Sequence, residues 1–168
     1  MTKKNFIEDF NIEGLRVLTR LDLNVPLNNN SQISDKYRIK SSLQTIRYII
    51  ENGGKAVLMS HLGRPNGNRL QSMSLKPIAK ELSIYLGKKV VLAPDCVGKE
   101  VENLVGRMRN GDVVLLENLR FHKEETINDT DFSKELSKLG DIFINDAFGS
   151  VHRAHASTVG VSEFISKS

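Results

Sequence analysis

Five short runs of almost uninterrupted aliphatic residues set the strongest limit on how this chain can fold. A strand buried on only one face alternates apolar and polar residues, and these runs do not alternate. Continuous runs of this length are typical of strands that are buried on both faces, as in a parallel sheet. The runs lie at 15–23, 55–62, 88–94, 112–119 and 141–148.

Amphipathic segments separate these runs, with apolar residues at the three- and four-residue spacing of a helix. Each segment ends close to a glycine, a common helix stop, and Ser34 with Asp35 can cap the first one. The apolar positions are Ile39, Leu43, Ile46 and Ile50 in the first segment; Leu75, Ile78, Ala79, Leu82 and Leu86 in the second; Val97, Val101, Leu104, Val105 and Met108 in the third; and Phe132, Leu136 and Leu139 in the fourth, which is expected to begin near Asp131.

The regular alternation of strands and helices predicts a doubly wound α/β domain, a Rossmann-like three-layer fold. Its sheet is expected to be mostly parallel, with helices on both faces. An eight-unit barrel requires more strand–helix units than 168 residues can supply. Residues 159–165 resemble one more strand leading towards a helix, which suggests that the chain is part of a longer protein. The sequence does not fix the order of the strands.

Composition excludes several classes of protein. The length of 168 residues fits one domain, and the net charge of +4 is too small to require a nucleic-acid partner. Aromatic residues make up only 6% and are not interleaved with the basic ones, which also disfavours nucleic-acid binding. A single cysteine, Cys96, cannot form an internal disulfide, so a reducing compartment is expected. We expect neither a signal peptide nor a membrane span, because no apolar run is long enough.

Polar side chains follow four of the five predicted strands at the point where each strand ends. Ligands of open parallel sheets bind outside the carboxyl ends of the strands. Arginine side chains pair well with carboxylate and phosphate oxygens, so several arginines at that edge would favour binding of a small anionic ligand. Arg38, at the start of the first helix, belongs to the same edge. The clusters are Arg20, Asp22, Asn24 and Pro26; Ser60, His61, Gly63, Arg64 and Pro65; Glu117, Asn118, Arg120 and His122; and Asn145, Asp146, His152, Arg153 and His155.

Each of these residues also has a purely structural interpretation. Asp22 and Asn24 can close a turn, and Arg120 can pair with Glu117 or Asp146. Because Asp22 would repel a phosphate, binding of a hydroxyl group or orientation of an arginine suits it better. Only the convergence of the clusters at one sheet edge makes a binding site the stronger hypothesis.

Other kinds of site have weaker support. His152 and His155 have a spacing that suits zinc, but no third ligand is evident, and we expect no metal site. Cys96 could pair with a histidine in catalysis, although a lone cysteine is more often a small buried apolar residue. Neither of the usual glycine-rich nucleotide-binding loops is present in the sequence, so no nucleotide cofactor is expected to bind this chain.

Four segments resemble the signature segments of the phosphoglycerate kinase family, in the same order and with similar spacing. They are RLDLNVPL at 20–27, SHLGRP at 60–65, LLENLRFHKEE at 115–125 and NDAFGSVHRAHAS at 145–157. The resemblance runs over nearly the whole chain but covers only the N-terminal domain of that family. It implies that residues 1–168 form the substrate-binding domain of a two-domain kinase, with the nucleotide-binding domain absent from this chain.

The resemblance also implies roles for individual residues. Arg38 is the expected catalytic residue, since it matches the arginine thought to stabilise the phosphoryl group in flight. Arg120 and Arg153 match the arginines that hold the phosphate end of the substrate. The other expected substrate-binding residues are Asp22, Leu23 and Asn24 after the first strand, and His61, Leu62, Gly63 and Arg64 in a loop that closes around the substrate. Leu23 departs from the family, where phenylalanine is common, and Arg20, His152 and His155 are expected in the surrounding basic patch.

The activity that the resemblance implies is reversible phosphoryl transfer between 1,3-bisphosphoglycerate and ADP, giving 3-phosphoglycerate and ATP, a step of glycolysis. Mg-ATP or Mg-ADP would bind to the missing domain, so this chain alone is expected to be inactive. The resemblance also implies a monomeric, cytoplasmic protein. Two alternatives stay open from the residues: a non-catalytic binding module for phosphorylated carboxylic acids, and a doubly wound enzyme that acts on a different anionic metabolite.

Overall fold

A single parallel sheet forms the centre of the fold in the computed structural model, which describes residues 6–150 and 152–167. Its strands lie in the order β3-β4-β2-β1-β5, and every neighbouring pair is parallel. The predicted doubly wound α/β fold is therefore confirmed. The strands are β1 (Arg16–Leu21), β2 (Lys55–Met59), β3 (Val90–Leu92), β4 (Val113–Leu115) and β5 (Ile142–Asp146), and the helices are α1 (Tyr37–Glu51), α2 (Lys76–Leu86), α3 (Lys99–Gly106) and α4 (Thr130–Ser137).

Both faces of the sheet are buried, which explains why the strand sequences are continuously apolar. Alternate residues of each strand enter two separate apolar clusters. In β2, Ala56 and Leu58 join the cluster beneath α1 and α2, whereas Val57 and Met59 join the cluster beneath α3 and α4. Because each strand must be apolar on both faces, the period-two alternation of a half-exposed strand is absent.

The strands are shorter than the apolar runs that predict them. Apolar residues just beyond the strands, including Leu23 and Leu62, continue into the core while the backbone leaves the sheet. Helix α3 ends at Gly106 rather than near Gly111, the glycine that follows its last apolar positions. Helix α4 begins at Thr130, near Asp131 as predicted, and Asp129 Oδ1 accepts a hydrogen bond from Phe132 N at 2.8 Å.

The prediction of a strand at 159–165 is wrong. This segment contains a 3₁₀ helix, Gly160–Glu163, and lies beside α4 rather than in the sheet. Val161 and Ile165 are buried in the same apolar cluster as Phe132 and Leu136. The apolar residues of this segment therefore cover a helix instead of pairing with a strand. Within the described ranges, no helix is both long enough and apolar enough to cross a lipid bilayer.

Burial of the helix faces can be tested with two isoleucines that differ in exposure. Ile46 of α1 is fully buried, whereas Ile84 of α2 is 64% exposed. We predict that Ile46→Ala lowers the free energy of unfolding by about 2–5 kcal/mol, since it leaves a cavity in the core. Ile84→Ala should change it by less than about 1 kcal/mol. Urea unfolding followed by circular dichroism measures both changes, and equal losses would contradict this packing.

Candidate functional site

A cavity of about 270 Å³ opens at the carboxyl edge of the sheet. Its walls come from the segments that follow β1, β2, β4 and β5, which are neighbours in the sheet, and from the first turn of α1. The predicted convergence of polar clusters at one edge is therefore present in the structure. The lining residues are Arg20, Asp22, Asn24, Arg38, His61, Gly63, Arg64, Arg120, Gly149 and Arg153.

The cavity is strongly positive, because its lining includes five arginines and a single carboxylate, that of Asp22. Arg120 shows the effect of this crowding. Partial burial, together with the positive charges of Arg153 and Arg64, lowers the pKa of Arg120, and Glu125 only partly opposes the shift. Bringing like charges together in this way is unfavourable unless an anion neutralises them, so the cavity is suited to an anionic ligand.

Asp22 and Asn24 organise the wall that follows β1. Arg38 Nη1 lies 3.2 Å from Asp22 Oδ1 and donates a hydrogen bond to the carbonyl of Asn24 at 2.7 Å. Asp22 therefore orients an arginine, one of the two roles expected for it. Gly149 lies against the other carboxylate oxygen of Asp22, since a Cβ atom at Gly149 would be 3.0 Å from Asp22 Oδ2. Arg38 is held at the mouth of the cavity with its side chain 48% exposed.

Hydrogen bonds tie the loop after β2 to its neighbours. The side chain of Asn24 accepts a hydrogen bond from Gly63 N at 2.9 Å, and Arg120 Nη1 donates to the carbonyl of Gly63 at 3.2 Å. Gly63 has a φ of +62°, and a Cβ atom there would lie 3.2 Å from Met73 Sδ. The left-handed backbone conformation therefore favours a glycine here, and Met73 leaves little space for a side chain.

Leu23 and Leu62 do not contribute side chains to the cavity, although both were among the expected substrate-binding residues. Each is packed in the core, 0% and 4% exposed respectively. Their backbone amides are also engaged, because Leu23 N donates to Ser60 Oγ and Leu62 N donates to Asn118 Oδ1. The two leucines anchor the loops that carry Asp22, Asn24, His61 and Gly63.

Arg20 lies deeper than a residue of a surface basic patch, with only 1% of its surface exposed. Its guanidinium donates to Ser157 Oγ at 2.9 Å and to the carbonyl of Leu21, and its Nη2 lies 2.8 Å from His61 Nδ1. Burial lowers the pKa of Arg20, and the nearby charge of Glu125 opposes that shift. Arg20 therefore belongs to the floor of the cavity.

His61 lines the cavity from the loop after β2, as predicted. Burial, and after it the charge of Arg20, lowers the pKa of His61 to about 2. Arg120, His155 and Arg38 act in the same direction. The imidazole is therefore neutral over the whole physiological range.

Glu125 and Ser157 are functional candidates that residue-by-residue reasoning missed. Glu125 is 1% exposed, and its carboxylate accepts hydrogen bonds from the hydroxyl and, at 3.0 Å, from the backbone amide of Ser157. Burial raises the pKa of Glu125, whereas the charge of Arg20 lowers it. Glu125 ends the charged sequence KEE, which is typical of an exposed segment, so the local sequence does not indicate that its carboxylate is buried. Only the contacts with distant residues at the floor of the cavity identify Glu125 as part of the site.

The structural pairings considered for Arg120 are wrong. The carboxylate of Glu117 accepts hydrogen bonds from the hydroxyl of Ser74 and the amide of Leu75, where it holds the start of α2. Asp146 accepts a hydrogen bond from Thr45 at 2.6 Å. With both carboxylates engaged elsewhere, Arg120 keeps its charge available at the cavity.

The histidines near the site have separate environments. His152 is exposed, whereas His155 is 7% exposed and its Nδ1 has no hydrogen-bond partner among the described residues. Burial and the charges of three neighbouring arginines lower the pKa of His155. His122 instead lies 2.6 Å from Asp95 Oδ1. The two members of the H-x-x-H spacing thus differ in both burial and environment.

One further group of potential metal ligands is Asp95, Cys96 and His122, whose ligand atoms lie within 4.8 Å of one another. The thiol of Cys96 donates a hydrogen bond to the carbonyl of Glu117 at 2.8 Å. Burial raises the pKa of this thiol well above its usual value. Metals bind the thiolate, so a metal here would have to displace this proton and its hydrogen bond. Cys96 instead behaves as the expected small buried residue.

Other cavities lie beside the arginine-lined cavity or share no residue with it. The groove of about 970 Å³ between residues 31–33, α2 and β3 is lined by polar, charged and aliphatic residues, none of which lines the arginine-lined cavity. A basic cavity of about 380 Å³ adjoins the arginine-lined one and shares Arg64, Arg120 and Arg153 with it. We assign the candidate site to the arginine-lined cavity, because only there do the predicted residues of four strand ends meet.

The sequence matches the family model for phosphoglycerate kinase over residues 7–168. A phosphoglycerate kinase of Chloroherpeton thalassium is 51% identical over 166 residues, which cover 99% of this chain and 42% of the relative. One of Synechococcus elongatus is 54% identical over 92% of this chain and 39% of its own length. This chain therefore spans about two fifths of the length of these relatives.

Solved structures give the same result. The crystal structure of a phosphoglycerate kinase from Pyrococcus horikoshii matches with a TM-score of 0.86 at 35% identity, covering 95% of this chain and 40% of that one. A phosphoglycerate kinase structure from Coxiella burnetii matches with a TM-score of 0.83 at 36% identity, covering 95% and 39%. The agreement extends over nearly all of the fold described above.

The neutral state of His61 predicts a pH dependence of stability. Its pKa is lower in the folded chain than in the unfolded chain, where about 6.5 is usual. Below that pH, unfolding takes up a proton, so the free energy of unfolding falls by ~1.4 kcal/mol per pH unit. Between pH 6.5 and 5 His61 should therefore contribute a loss of ~2 kcal/mol.

The variant His61→Gln should lack this part of the pH dependence, and urea unfolding at several pH values measures it. The lowered pKa of His155 also makes the free energy of unfolding fall as the pH falls, and the raised pKa of Glu125 has the opposite effect. Both groups are present in wild type and in His61→Gln, so the difference between the two proteins is due to His61. The exposed His152 provides the control, and His152→Gln should leave the dependence unchanged. An unchanged slope in His61→Gln would contradict the assignment.

Proposed function

Because the chain belongs to the phosphoglycerate kinase family, we propose that it is the N-terminal, substrate-binding part of a two-domain phosphoglycerate kinase. In the complete enzyme, a phosphoryl group passes reversibly between 1,3-bisphosphoglycerate and ADP, giving 3-phosphoglycerate and ATP. This chain supplies the site for 3-phosphoglycerate. The remaining three fifths of the length of the relatives supply the nucleotide site.

The observation that carries this proposal is the set of five arginines around one small cavity. Its volume of about 270 Å³ lies below the ~300–1,000 Å³ usual for drug-sized ligands, so it suits a small molecule. A three-carbon acid with a phosphate at one end and a carboxyl group at the other carries the charges that such a lining neutralises. Arg120 and Arg153 then bind the phosphate end, and Arg38 faces the reacting carboxyl group.

Phosphoryl transfer needs little covalent chemistry from the protein. It needs donor and acceptor oxygens in line and neutralisation of the charge on the transferred group. Arg38 supplies that neutralisation from the mouth of the cavity, where Asp22 and the carbonyl of Asn24 orient it. No general base is required when ADP is the acceptor, because its attacking oxygen is already anionic. Magnesium bound with the nucleotide would supply further charge neutralisation on the phosphates.

Two further features concern the complete enzyme. Closure of the two domains would exclude water, which otherwise hydrolyses the acyl phosphate. A cytoplasmic location and a monomeric state stay predictions, and the single buried Cys96 fits the reducing compartment that the location requires.

The alternative of a non-catalytic binding module uses the same anion site. The family match over residues 7–168 favours the kinase.

Binding of the acid to this chain is the first test of the proposal. We predict weak binding of 3-phosphoglycerate, in the millimolar range, that weakens further as salt rises, because exposed charges are screened beyond ~10 Å at 0.1 M. Calorimetry at low and high salt measures this dependence. Arg153→Gln should reduce the affinity. Arg109→Gln, which removes one exposed charge at the opposite edge of the sheet, should not. Absence of binding at millimolar ligand, or equal effects of both variants, would refute the site.

Arg38→Lys separates a catalytic role from a binding role in the full-length enzyme. Lysine keeps the charge but loses the planar fork that matches phosphoryl oxygens. An interaction made mainly in the transition state lowers kcat rather than affinity, here by roughly a hundredfold. Arg120→Lys should instead raise KM for 3-phosphoglycerate. Steady-state kinetics distinguish the two, and an effect of Arg38→Lys confined to KM would overturn its assignment.

The chain alone should not turn over ATP and 3-phosphoglycerate, even when it is folded and binds the acid. The arginine-lined cavity holds only one reactant, and losing the positioning of the second forfeits up to ~7–11 kcal/mol. A coupled assay should detect activity only after the matching C-terminal part of the full-length enzyme is added. Turnover by the chain alone that Arg38→Ala abolishes would contradict the two-domain proposal.

A further inference from the structure

The contact between Arg20 and His61 determines which nitrogen of His61 carries its proton. Arg20 Nη2 lies 2.8 Å from His61 Nδ1. A guanidinium has only donors and keeps its charge, so Nδ1 must be the acceptor. The proton of the neutral ring therefore resides on Nε2. Among the described residues Nε2 has no hydrogen-bond partner, and the ring lines the cavity, so this N–H is available to a ligand.

The position of Arg20 depends on a chain of contacts that begins outside the cavity. Its Nε donates to Ser157 Oγ at 2.9 Å, and the hydroxyl of Ser157 donates in turn to Glu125. Glu125 also accepts from the amide of Ser157 and, through its carbonyl, from the amide of Ala156 at 2.9 Å. The buried carboxylate is thus linked to the buried guanidinium through one hydroxyl group.

We propose that Arg20 and Glu125 are positioning residues for His61, and that they hold its ring as a neutral donor whose Nε2–H binds an oxygen of the ligand. Glu125 compensates the charge of Arg20 and, through Ser157, fixes the direction of its fork. Arg20 then fixes the tautomer of His61. This inference rests on the proposed function only for the identity of the ligand.

This arrangement gives His61 a different role from that of the arginines. Besides burial, the charges of Arg20, Arg120, His155 and Arg38 act against its protonation, and Asp22, the carboxylate of the same lining, contacts Arg38. A protonated ring would place an N–H against the guanidinium of Arg20, so the ring cannot become a sixth cation of the site. As a directed single donor, His61 selects an oxygen with a free lone pair. Its contribution to binding does not vary over the range in which an ordinary histidine titrates.

Nuclear magnetic resonance tests the tautomer without any ligand. Long-range ¹H–¹⁵N spectra of the histidine-labelled chain, with His61 identified by its loss in His61→Gln, should show an unprotonated Nδ1 and a protonated Nε2 from pH 5.5 to 8. A proton on Nδ1, or titration of the ring within that range, would overturn the proposal. The tautomer itself is read from the wild-type chain, and His61→Gln serves only to assign the signal.

Two variants test the positioning residues. Ser157→Ala removes the bridging hydroxyl, and Glu125→Gln removes the charge and replaces one of the two acceptor oxygens by an amide donor. Both should give a mixture of His61 tautomers and weaken binding of 3-phosphoglycerate by roughly tenfold, the scale of one lost hydrogen bond. Ser137→Ala, which removes an exposed hydroxyl in α4, is the control and should change neither. Wild-type His61 spectra in both folded variants would overturn the roles of Glu125 and Ser157.

Calorimetry on the same samples separates this inference from the proposed function. If 3-phosphoglycerate binds but His61 titrates near neutral pH, the positioning proposal fails and the proposed function stands. If His61 has the expected tautomer but the acid does not bind, the proposed function fails and the positioning of His61 stands.

Discussion

A guanidinium buried at the carboxyl end of β1 is the constraint on which the rest of the site depends. A charge removed from water must be paired and hydrogen-bonded, or it strongly destabilises the fold. Arg20 meets this requirement with partners from other strand ends, Ser60 and His61 after β2 and Ser157 near the end of the chain, and with the charge of Glu125. Satisfying one buried charge thus fixes the relative positions of the segments that form the cavity.

The remaining charges surround this fixed floor and are less completely paired. Arg38 has Asp22 as a partner, whereas Arg120 makes its side-chain hydrogen bond to the carbonyl of Gly63 and has its pKa lowered by burial, Arg153 and Arg64. The fold therefore holds in place an excess of positive charge that an anion can neutralise. For phosphoryl transfer, that preorganisation is the main contribution a protein can make, since the reacting atoms belong to the substrates.

The sequence predicts the parts of this structure that follow from local patterns. Continuous apolar runs indicate buried parallel strands, and polar residues after Leu21, Met59 and Leu115 indicate a site at one sheet edge. The burial of Glu125 depends on a partner more than a hundred residues away in sequence, and no local pattern reports it. Leu23 and Leu62 fill the core, although both lie in segments that resemble the substrate-binding loops of the family. The resemblance alone could not show that these side chains anchor the loops rather than contact the substrate. The prediction of a strand around Val161 is wrong for a similar reason: an apolar pattern alone does not show whether a segment joins the sheet or packs against a helix.

We propose that the arginine-lined cavity binds a small acid by both of its charged ends, and a crystal structure of the chain with 3-phosphoglycerate is the decisive measurement. We expect the phosphate against Arg120 and Arg153, the carboxyl group directed towards Arg38, and the Nε2–H of His61 in contact with an oxygen of the ligand. Ligand bound only in the groove between α2 and β3, or bound with its phosphate away from these arginines, would contradict it.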